Sequence, residues 1–139
     1  MEVYCSLKSL ANGSCGTSKK QTTNEIVPLF SCTKSIKSHL EAHKFSGPVD
    51  EVELILCRVA IFKKPLNVNS MTICPNHRAV LGTGWSRGGN TRCRVPEAIS
   101  GHGKSGKKFP KAEKGLDKRD SLYIFETVGI FVPAGSGKR

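Results

Sequence analysis

The sequence has little apolar material from which to build a core. Apolar residues make up 37% of its 139 residues and aromatic residues only 6%, whereas ordinary globular domains are about 45–50% apolar. A chain of this length corresponds to one domain, and a domain with so thin a core usually depends on a metal ion or on disulfides for its stability. The six cysteines could serve either purpose.

The sequence also lacks the segments that mark export or membrane insertion. Its first residues show no basic patch followed by an apolar run, as a signal peptide would. No apolar stretch approaches the roughly 20 residues that span a bilayer. We therefore expect no membrane partner and an intracellular location, where thiols stay reduced and spaced Cys and His residues more often bind metal than form disulfides.

Acidic residues are scarce in the middle of the chain. Residues 1–57 contain six Lys/Arg and six Asp/Glu, residues 58–119 contain fourteen and three, and residues 120–139 contain two and two. The entire net charge of +11 therefore lies within residues 58–119. This concentration favours a polyanionic partner, above all nucleic acid, over a merely solubilising surface, an acidic protein or a membrane face. The shortage of acids also argues against general acid–base catalysis there.

Hydrophobic periodicity predicts a small zinc-stabilised α+β domain with two or three strands, two short helices and long basic loops. Residues 1–25 are rich in small polar residues and are predicted to form a loosely structured N-terminal segment, followed by a single domain over 26–139. Helices are predicted over 31–44 and 121–126. Strands are predicted over 51–62, 71–73 and 129–133, and glycine-rich loops over 82–91 and 100–118.

The tetrapeptide Cys74-Pro75-Asn76-His77 is the strongest sign of a metal site, because two ligands separated by two residues can reach one ion from a tight turn. Cys57, Cys93 and His102 are the candidates for the remaining places, so that five residues compete for four positions. The alternatives are that Cys57 is a buried strand cysteine and that His102 is exposed or contacts phosphate. Glu97 is the only acid nearby in sequence, so we predict a structural zinc ion rather than a catalytic one.

The other three cysteines, Cys5, Cys15 and Cys32, allow two further interpretations. They could bind a second metal together with His39 and His43, which stand four residues apart on the predicted helix. Alternatively, all six cysteines could form disulfides, as in a small secreted basic protein. The disulfide interpretation would leave the tetrapeptide at residues 74–77 without a role as a pair of metal ligands.

The basic loops around the candidate ligands are the predicted nucleic-acid-binding surface. Arginine can hold phosphates or read guanine edges, whereas lysine on a flexible loop binds phosphate without reading sequence. Trp85 could stack on a base, or it could be a core residue that covers the metal site. The predicted contact residues are Arg78, Trp85, Arg87, Arg92, Arg94, Lys104, Lys107, Lys108 and Lys111.

Two stretches imitate a phosphate-binding loop without completing it. Gly103-Lys104-Ser105 has the typical ending, but Ala98 stands where the pattern requires glycine. Gly135-Ser136-Gly137-Lys138 is followed by Arg139 instead of Ser or Thr, and by no helix. We therefore predict neither nucleotide hydrolysis nor any other enzymatic activity.

Several motifs can be taken together as one pattern: Thr72-Ile73-Cys74-Pro75-Asn76-His77-Arg78, Leu81-Gly82, Trp85, Arg92-Cys93-Arg94-Val95-Pro96, Ser100-Gly101-His102, Lys114-Gly115-Leu116, Ser121, and the run from Gly129 to Gly137. This pattern resembles a Cys/His domain of the zinc-binding kind found in many uncharacterised proteins of invertebrate chordates, fish and cnidarians. The resemblance covers about residues 57–139. It implies a Cys/His unit that includes His102, and it implies no particular activity.

The first prediction for function is a zinc-stabilised, non-enzymatic domain that binds nucleic acid in the nucleus, with DNA favoured over RNA, as part of a larger protein or complex. The second is a protein-interaction scaffold whose basic loops meet an acidic partner. The third is the secreted disulfide protein. A measurement of zinc content would distinguish the third prediction from the other two. A gel shift with nucleic acid would distinguish the first prediction from the second.

Overall fold

The computed structural model describes residues 5–7, 10, 26–85, 92–100 and 110–138. These residues form short helices and two antiparallel sheets of two strands each, which confirms a small α+β architecture. Single 3₁₀ turns cover Leu29–Ser31 and Val68–Ser70. In chain order, the helices and strands are β1 (Val27–Pro28), α1 (Lys37–His43), α2 (Glu51–Cys57), β2 (Thr72–Ile73), α3 (Pro75–Leu81), α4 (Glu97–Ser100), β3 (Lys114–Gly115), α5 (Lys118–Val128) and β4 (Gly137–Lys138).

The chain divides into two compact units, each built from two separate stretches of sequence. The first unit contains Met1–Ile36 and Val49–Ser86, and the second contains Lys37–Pro48 and Arg87–Arg139. The sequence predicts a loose segment over 1–25 and one domain over 26–139. Most of residues 1–25 lie outside the described residues, but residues 5–7 are described and pack within the first unit.

A buried apolar core organises the first unit around the antiparallel pair β1–β2. Ser6 lies beside β2: its amide donates to the carbonyl of Thr72 at 2.9 Å, and its hydroxyl oxygen accepts from the amide of Thr72 at 2.8 Å. The residues on either side of Ser6, Cys5 and Leu7, are therefore buried in the core. The other buried members of this core are Leu29, Cys32, Val52, Ile55, Leu56, Met71, Ile73, Cys74 and Leu81.

The segment predicted to be the clearest strand is helix α2, so the prediction of a strand over 51–62 is wrong. Asp50 caps the helix, because its Oδ1 accepts a hydrogen bond from the amide of Glu53 at 2.8 Å. Six of the seven helical residues are buried. A short apolar run that is buried on all sides shows no polar stripe, and its periodicity therefore cannot separate a helix from a strand.

Extended segments form the scaffold of the second unit. Strands β3 and β4 pair antiparallel, and Arg92 forms an isolated antiparallel bridge with Lys111. The amide of Cys93 donates to the carbonyl of Pro110 at 2.8 Å, and the amide of Arg94 donates to the carbonyl of Gly137 at 2.7 Å. Successive amides of an extended chain point in opposite directions. Residues 92–94 therefore lie between the segment that contains Pro110 and the segment that contains Gly137.

Helix α5 packs on the core of the second unit. Asp117 is its N-cap, and Gly129 ends it in the left-handed region with φ of 72°. Ser121 faces the core and its hydroxyl donates to the carbonyl of Val132 at 2.6 Å. The buried core comprises Cys93, Val95, Leu116, Ile124 and Val132.

The remaining element predictions differ in their accuracy. The strand over 71–73 is confirmed as β2, and the helix over 121–126 is confirmed as the longer α5. The helix over 31–44 is shorter, at Lys37–His43. Residues 129–133 form no strand, and the last strand is β4. Among the described residues, no helix is both long enough and apolar enough to cross a membrane.

Candidate metal centre

The N-terminus of α3 brings two predicted metal ligands together. Cys74 is the N-cap and Pro75 occupies the first turn, where its missing amide costs no hydrogen bond. The sulfur of Cys74 accepts a hydrogen bond from the amide of His77 at 3.4 Å and lies 3.2 Å from Nδ1 of the same residue. The spacing of the tetrapeptide thus produces the local geometry that the sequence predicts.

Cys5 completes a group of three side chains that could hold a metal ion. Its sulfur lies 3.4 Å from Nδ1 of His77 and accepts a hydrogen bond from the amide of Cys74 at 3.3 Å. The ligand atoms of Cys5, Cys74 and His77 all lie within 4.8 Å of one another, and all three residues are buried. Backbone N–H groups are directed at both sulfurs, and cysteine binds metal as the thiolate.

The other predicted ligands do not join this group in the described part of the chain. Cys57 is buried at the end of α2, and its thiol donates to the carbonyl of Leu54 at 3.1 Å. Cys93 belongs to the apolar core of the second unit. His102 lies outside the described residues, so its role as a ligand stays a prediction.

The residues considered for a second metal site are distributed between the two units. Cys32 is buried in the first unit, and burial raises the pKa of its thiol to about 11, although Arg78 acts in the opposite direction. The rings of His39 and His43 contact each other on α1 in the second unit, with centroids 4.5 Å apart and a tilt of 56° between their planes. Cys15 lies outside the described residues. Among the five described cysteines there is no disulfide.

A buried ion pair holds α3 against the start of α2. Glu51 has an exposed fraction of 1%, and its carboxylate accepts from Nε and Nη2 of Arg78 at 2.8 and 3.0 Å. It also accepts from the amide of Lys34 at 2.9 Å. Arg78 directly follows His77, so this pair fixes the helical turn that carries the imidazole of the candidate metal centre.

The ion pair makes the first unit sensitive to acid. Burial alone would raise the pKa of Glu51, but the hydrogen bonds from Arg78 and Lys34 outweigh it, and the pKa lies below the ordinary value of 4.5. A lowered pKa stabilises the folded state above the unfolded-state value, and that stabilisation is lost as the pH falls. We therefore expect the stability difference between the native protein and Glu51→Gln to shrink below about pH 4.5. Urea unfolding of both proteins across that range would measure it, and a constant difference would contradict the assignment.

The opposite end of α3 is capped by a buried arginine. Nη1 of Arg58 donates to the carbonyls of Leu81 and Gly82, both at 2.9 Å. Its guanidinium lies under the ring of Trp85, 4.2 Å from the centroid. Burial lowers the pKa of Arg58 to about 10, which leaves it protonated at neutral pH. The described contacts of Trp85 therefore lie at the C-terminus of α3, whereas Cys74 and His77 lie at its N-terminus.

Apart from Trp85, the predicted nucleic-acid contacts fall into three groups. Arg78 is held by Glu51, with its side chain 22% exposed. Arg92, Arg94 and Lys111 are exposed on the second unit. The remaining predicted contacts, Arg87, Lys104, Lys107 and Lys108, lie outside the described residues.

Comparison with known proteins adds no relative to this description. No protein-family model, no curated protein and no solved structure matches the chain. The resemblance noted from the sequence motifs therefore stays a prediction.

Proposed function

We propose that the chain is a zinc-stabilised, non-enzymatic domain that binds nucleic acid, with DNA as the preferred partner, in the nucleus and as part of a larger protein or complex. In this proposal the two units have separate tasks. The first unit holds the metal through Cys5, Cys74 and His77, and the second supplies a cationic surface.

Zinc suits the three ligands better than other common metals. Two thiolates and an imidazole are the donors found in structural zinc sites, whereas magnesium and calcium prefer oxygen. Tetrahedral zinc would place a sulfur and a nitrogen ligand about 3.6 Å apart. The observed distances from Nδ1 of His77 to the two sulfurs, 3.2 and 3.4 Å, are close to this value.

Burial of the Cys/His group supports a structural role. A thiol beside an imidazole could in principle act as a nucleophile and its base. Here Cys74 is 1% exposed and His77 is fully buried, so a substrate has no access to the sulfur. A metal at this site would instead tie the N-terminal residues around Cys5 to helix α3.

A row of cations on the second unit is the observation that carries the nucleic-acid proposal. Along residues 92–95 the side chains alternate: Arg92 and Arg94 are exposed, whereas Cys93 and Val95 are buried. Lys111 stands directly opposite Arg92 in an antiparallel bridge. Paired residues of such a bridge project to the same face, with about 5 Å between their β-carbons. The three cations therefore share one solvent-facing surface that fits successive phosphates.

The distribution of charge between the units supports the same assignment. The second unit contains fourteen Lys/Arg and six Asp/Glu, a net charge of +8. The first contains eight and five, a net charge of +3. A partner with many phosphates would therefore be attracted mainly to the second unit.

Neutralising the exposed arginines should weaken the salt dependence of binding. We expect Arg92→Gln with Arg94→Gln to reduce the slope of log affinity against log salt concentration by about 2, because each phosphate contact contributes about 1. Fluorescence anisotropy with a labelled random duplex at several salt concentrations would measure this slope.

The matched control is Lys63→Gln with Lys64→Gln, which removes the same charge from exposed positions of the first unit. This control should change the slope by much less. Equal slopes for the two double variants would show that binding follows total charge and not the surface formed by Arg92, Arg94 and Lys111.

A second candidate function is a scaffold that binds an acidic protein. Exposed aromatic and aliphatic side chains on the second unit favour it: Tyr123 is 58%, Phe125 40% and Ile130 50% exposed. A gel shift with duplex DNA, single-stranded DNA and RNA at low salt separates the two. Absence of binding to all three would leave the scaffold as the better proposal.

A further inference from the structure

Helix α5 directs one side to the core of the second unit and the opposite side to solvent. Its buried residues are Ser121 and Ile124. On the opposite side Arg119 and Glu126 are exposed, and Tyr123 between them is 58% exposed. Because successive residues of an α-helix are about 100° apart, seven residues make almost two full turns. Arg119 and Glu126 therefore lie on one line along the helix, with Tyr123 beside that line at about the midpoint.

The two charges on this exposed side are placed against the helix dipole. Arg119 stands in the first turn of α5, where a negative charge is favourable, and Glu126 stands in the last turn, where a positive charge is favourable. Among the described residues, neither side chain has an ion-pair partner. The two charges therefore slightly disfavour their own helix, and their arrangement is not explained by the stability of α5.

A second copy of α5 in the antiparallel direction is complementary to both charges. A two-fold axis near Tyr123 would place Arg119 of each copy opposite Glu126 of the other, because the two residues are about equally far from the axis. Each charge would also lie near the favourable end of the other helix, with Arg119 at its C-terminus and Glu126 at its N-terminus. What is unfavourable within one helix is therefore favourable between two.

We propose that the exposed side of α5 formed by Arg119, Tyr123 and Glu126 is the contact surface of an antiparallel homodimer. A nucleic acid or an acidic protein would be attracted to Arg119 but repelled by Glu126, whereas a second copy satisfies both charges. With 11 residues, α5 is about 16 Å long, so the interface is small and the dimer is weak and transient. This inference does not depend on what the cationic surface of the second unit binds.

Sedimentation equilibrium of the reduced full-length protein at several concentrations would test the dimer. We expect a monomer–dimer equilibrium with a dissociation constant on the order of 100 μM. Salt at about 0.15 M shortens the screening length to about 8 Å, so that the net positive charge elsewhere opposes association little.

Reversing either charge should weaken self-association by about tenfold. Arg119→Glu and Glu126→Arg each convert both opposite-charge pairs of the dimer into like-charge pairs. Each substitution also places a charge that the dipole of its own helix favours, so loss of the helix would not account for a lost dimer. An equimolar mixture of the two variants should associate about as tightly as the native protein, because every altered residue then faces an opposite charge again.

Two charge reversals elsewhere are the matched controls. Lys63→Glu and Glu41→Arg make the same changes in net charge at exposed positions outside α5. Each should leave self-association within about twofold of the native value, because the effect of a distant charge is screened.

Three results would overturn the proposed dimer. One is a protein that stays monomeric up to about 1 mM, well above the expected dissociation constant. Another is self-association that Arg119→Glu and Glu126→Arg leave unchanged, which would assign it to a different surface. The third is a mixture of these two variants that associates no better than either variant alone.

Discussion

Removing zinc from the reduced protein with a chelator is expected to unfold the first unit, and adding zinc back is expected to refold it. The free energy of binding a structural zinc ion is on the order of 10 kcal/mol in small metal-folded units. That is comparable with the whole net stability of an ordinary domain, about 5–15 kcal/mol. Far-ultraviolet circular dichroism with a parallel measurement of zinc content would follow the transition.

The variants for this experiment follow from the geometry of the cluster. Cys5→Ser and His77→Ala should each lower zinc affinity by at least about 100-fold, since each removes one of the three proposed ligands. Cys57→Ser is the matched control, because Cys57 is equally buried but its thiol contacts the carbonyl of Leu54. If Cys5→Ser left zinc affinity unchanged, Cys5 would not be a ligand. Cys93→Ser and His102→Ala test the two remaining sequence-predicted ligands in the same assay.

Glu51→Gln is expected to destabilise the zinc-loaded protein by about 3 kcal/mol, because loss of one partner of a buried ion pair leaves the other without compensation. The carboxylate is almost fully buried and receives three hydrogen bonds, two of them from Arg78. Glutamine preserves the shape but removes the charge. Chemical unfolding with urea would measure the loss of free energy.

Two comparisons make this prediction specific. Glu41→Gln removes a carboxylate from an exposed position and should change stability by less than about 0.5 kcal/mol. A double-mutant cycle of Glu51→Gln with Arg78→Met should show strong coupling between the two residues. Additive effects would mean that the pair does not hold α3 to α2.

The proximity of Cys74 and His77 could be predicted from the sequence, but their third neighbour, Cys5, could not. Cys74 and His77 lie one helical turn apart, so local spacing alone brings them together. Cys5 is 69 residues away from Cys74 and stands in a polar segment without periodicity. Only the packing of residues 5–7 against β2 brings its sulfur to the site. A contact of this kind depends on tertiary structure and leaves no local pattern.

The glycine-rich segment after α3 also has a structural role that could not be predicted from the sequence. Four glycines within residues 82–91 predict a loop, because so many glycines suit no regular element. In the described part of that segment, Gly82 and Gly84 permit close approach to the helix. Likewise, Arg58 counts in the sequence as one more basic residue, whereas it is buried and caps α3. Composition gives the net charge of a segment but not the number of charges that remain at the surface.

The order in which stretches of the chain join the two units affects when each unit can form during protein synthesis. The chain leaves the first unit after Ile36, passes through Lys37–Pro48 of the second, and returns at Val49. The group formed by Cys5, Cys74 and His77 therefore cannot assemble until residue 77 has emerged from the ribosome. By then α1 has also emerged, but most of its own unit has still to be made. Both units thus remain incomplete until residue 77 has been made, and until then the thiol of Cys5 lacks the neighbours that bury it.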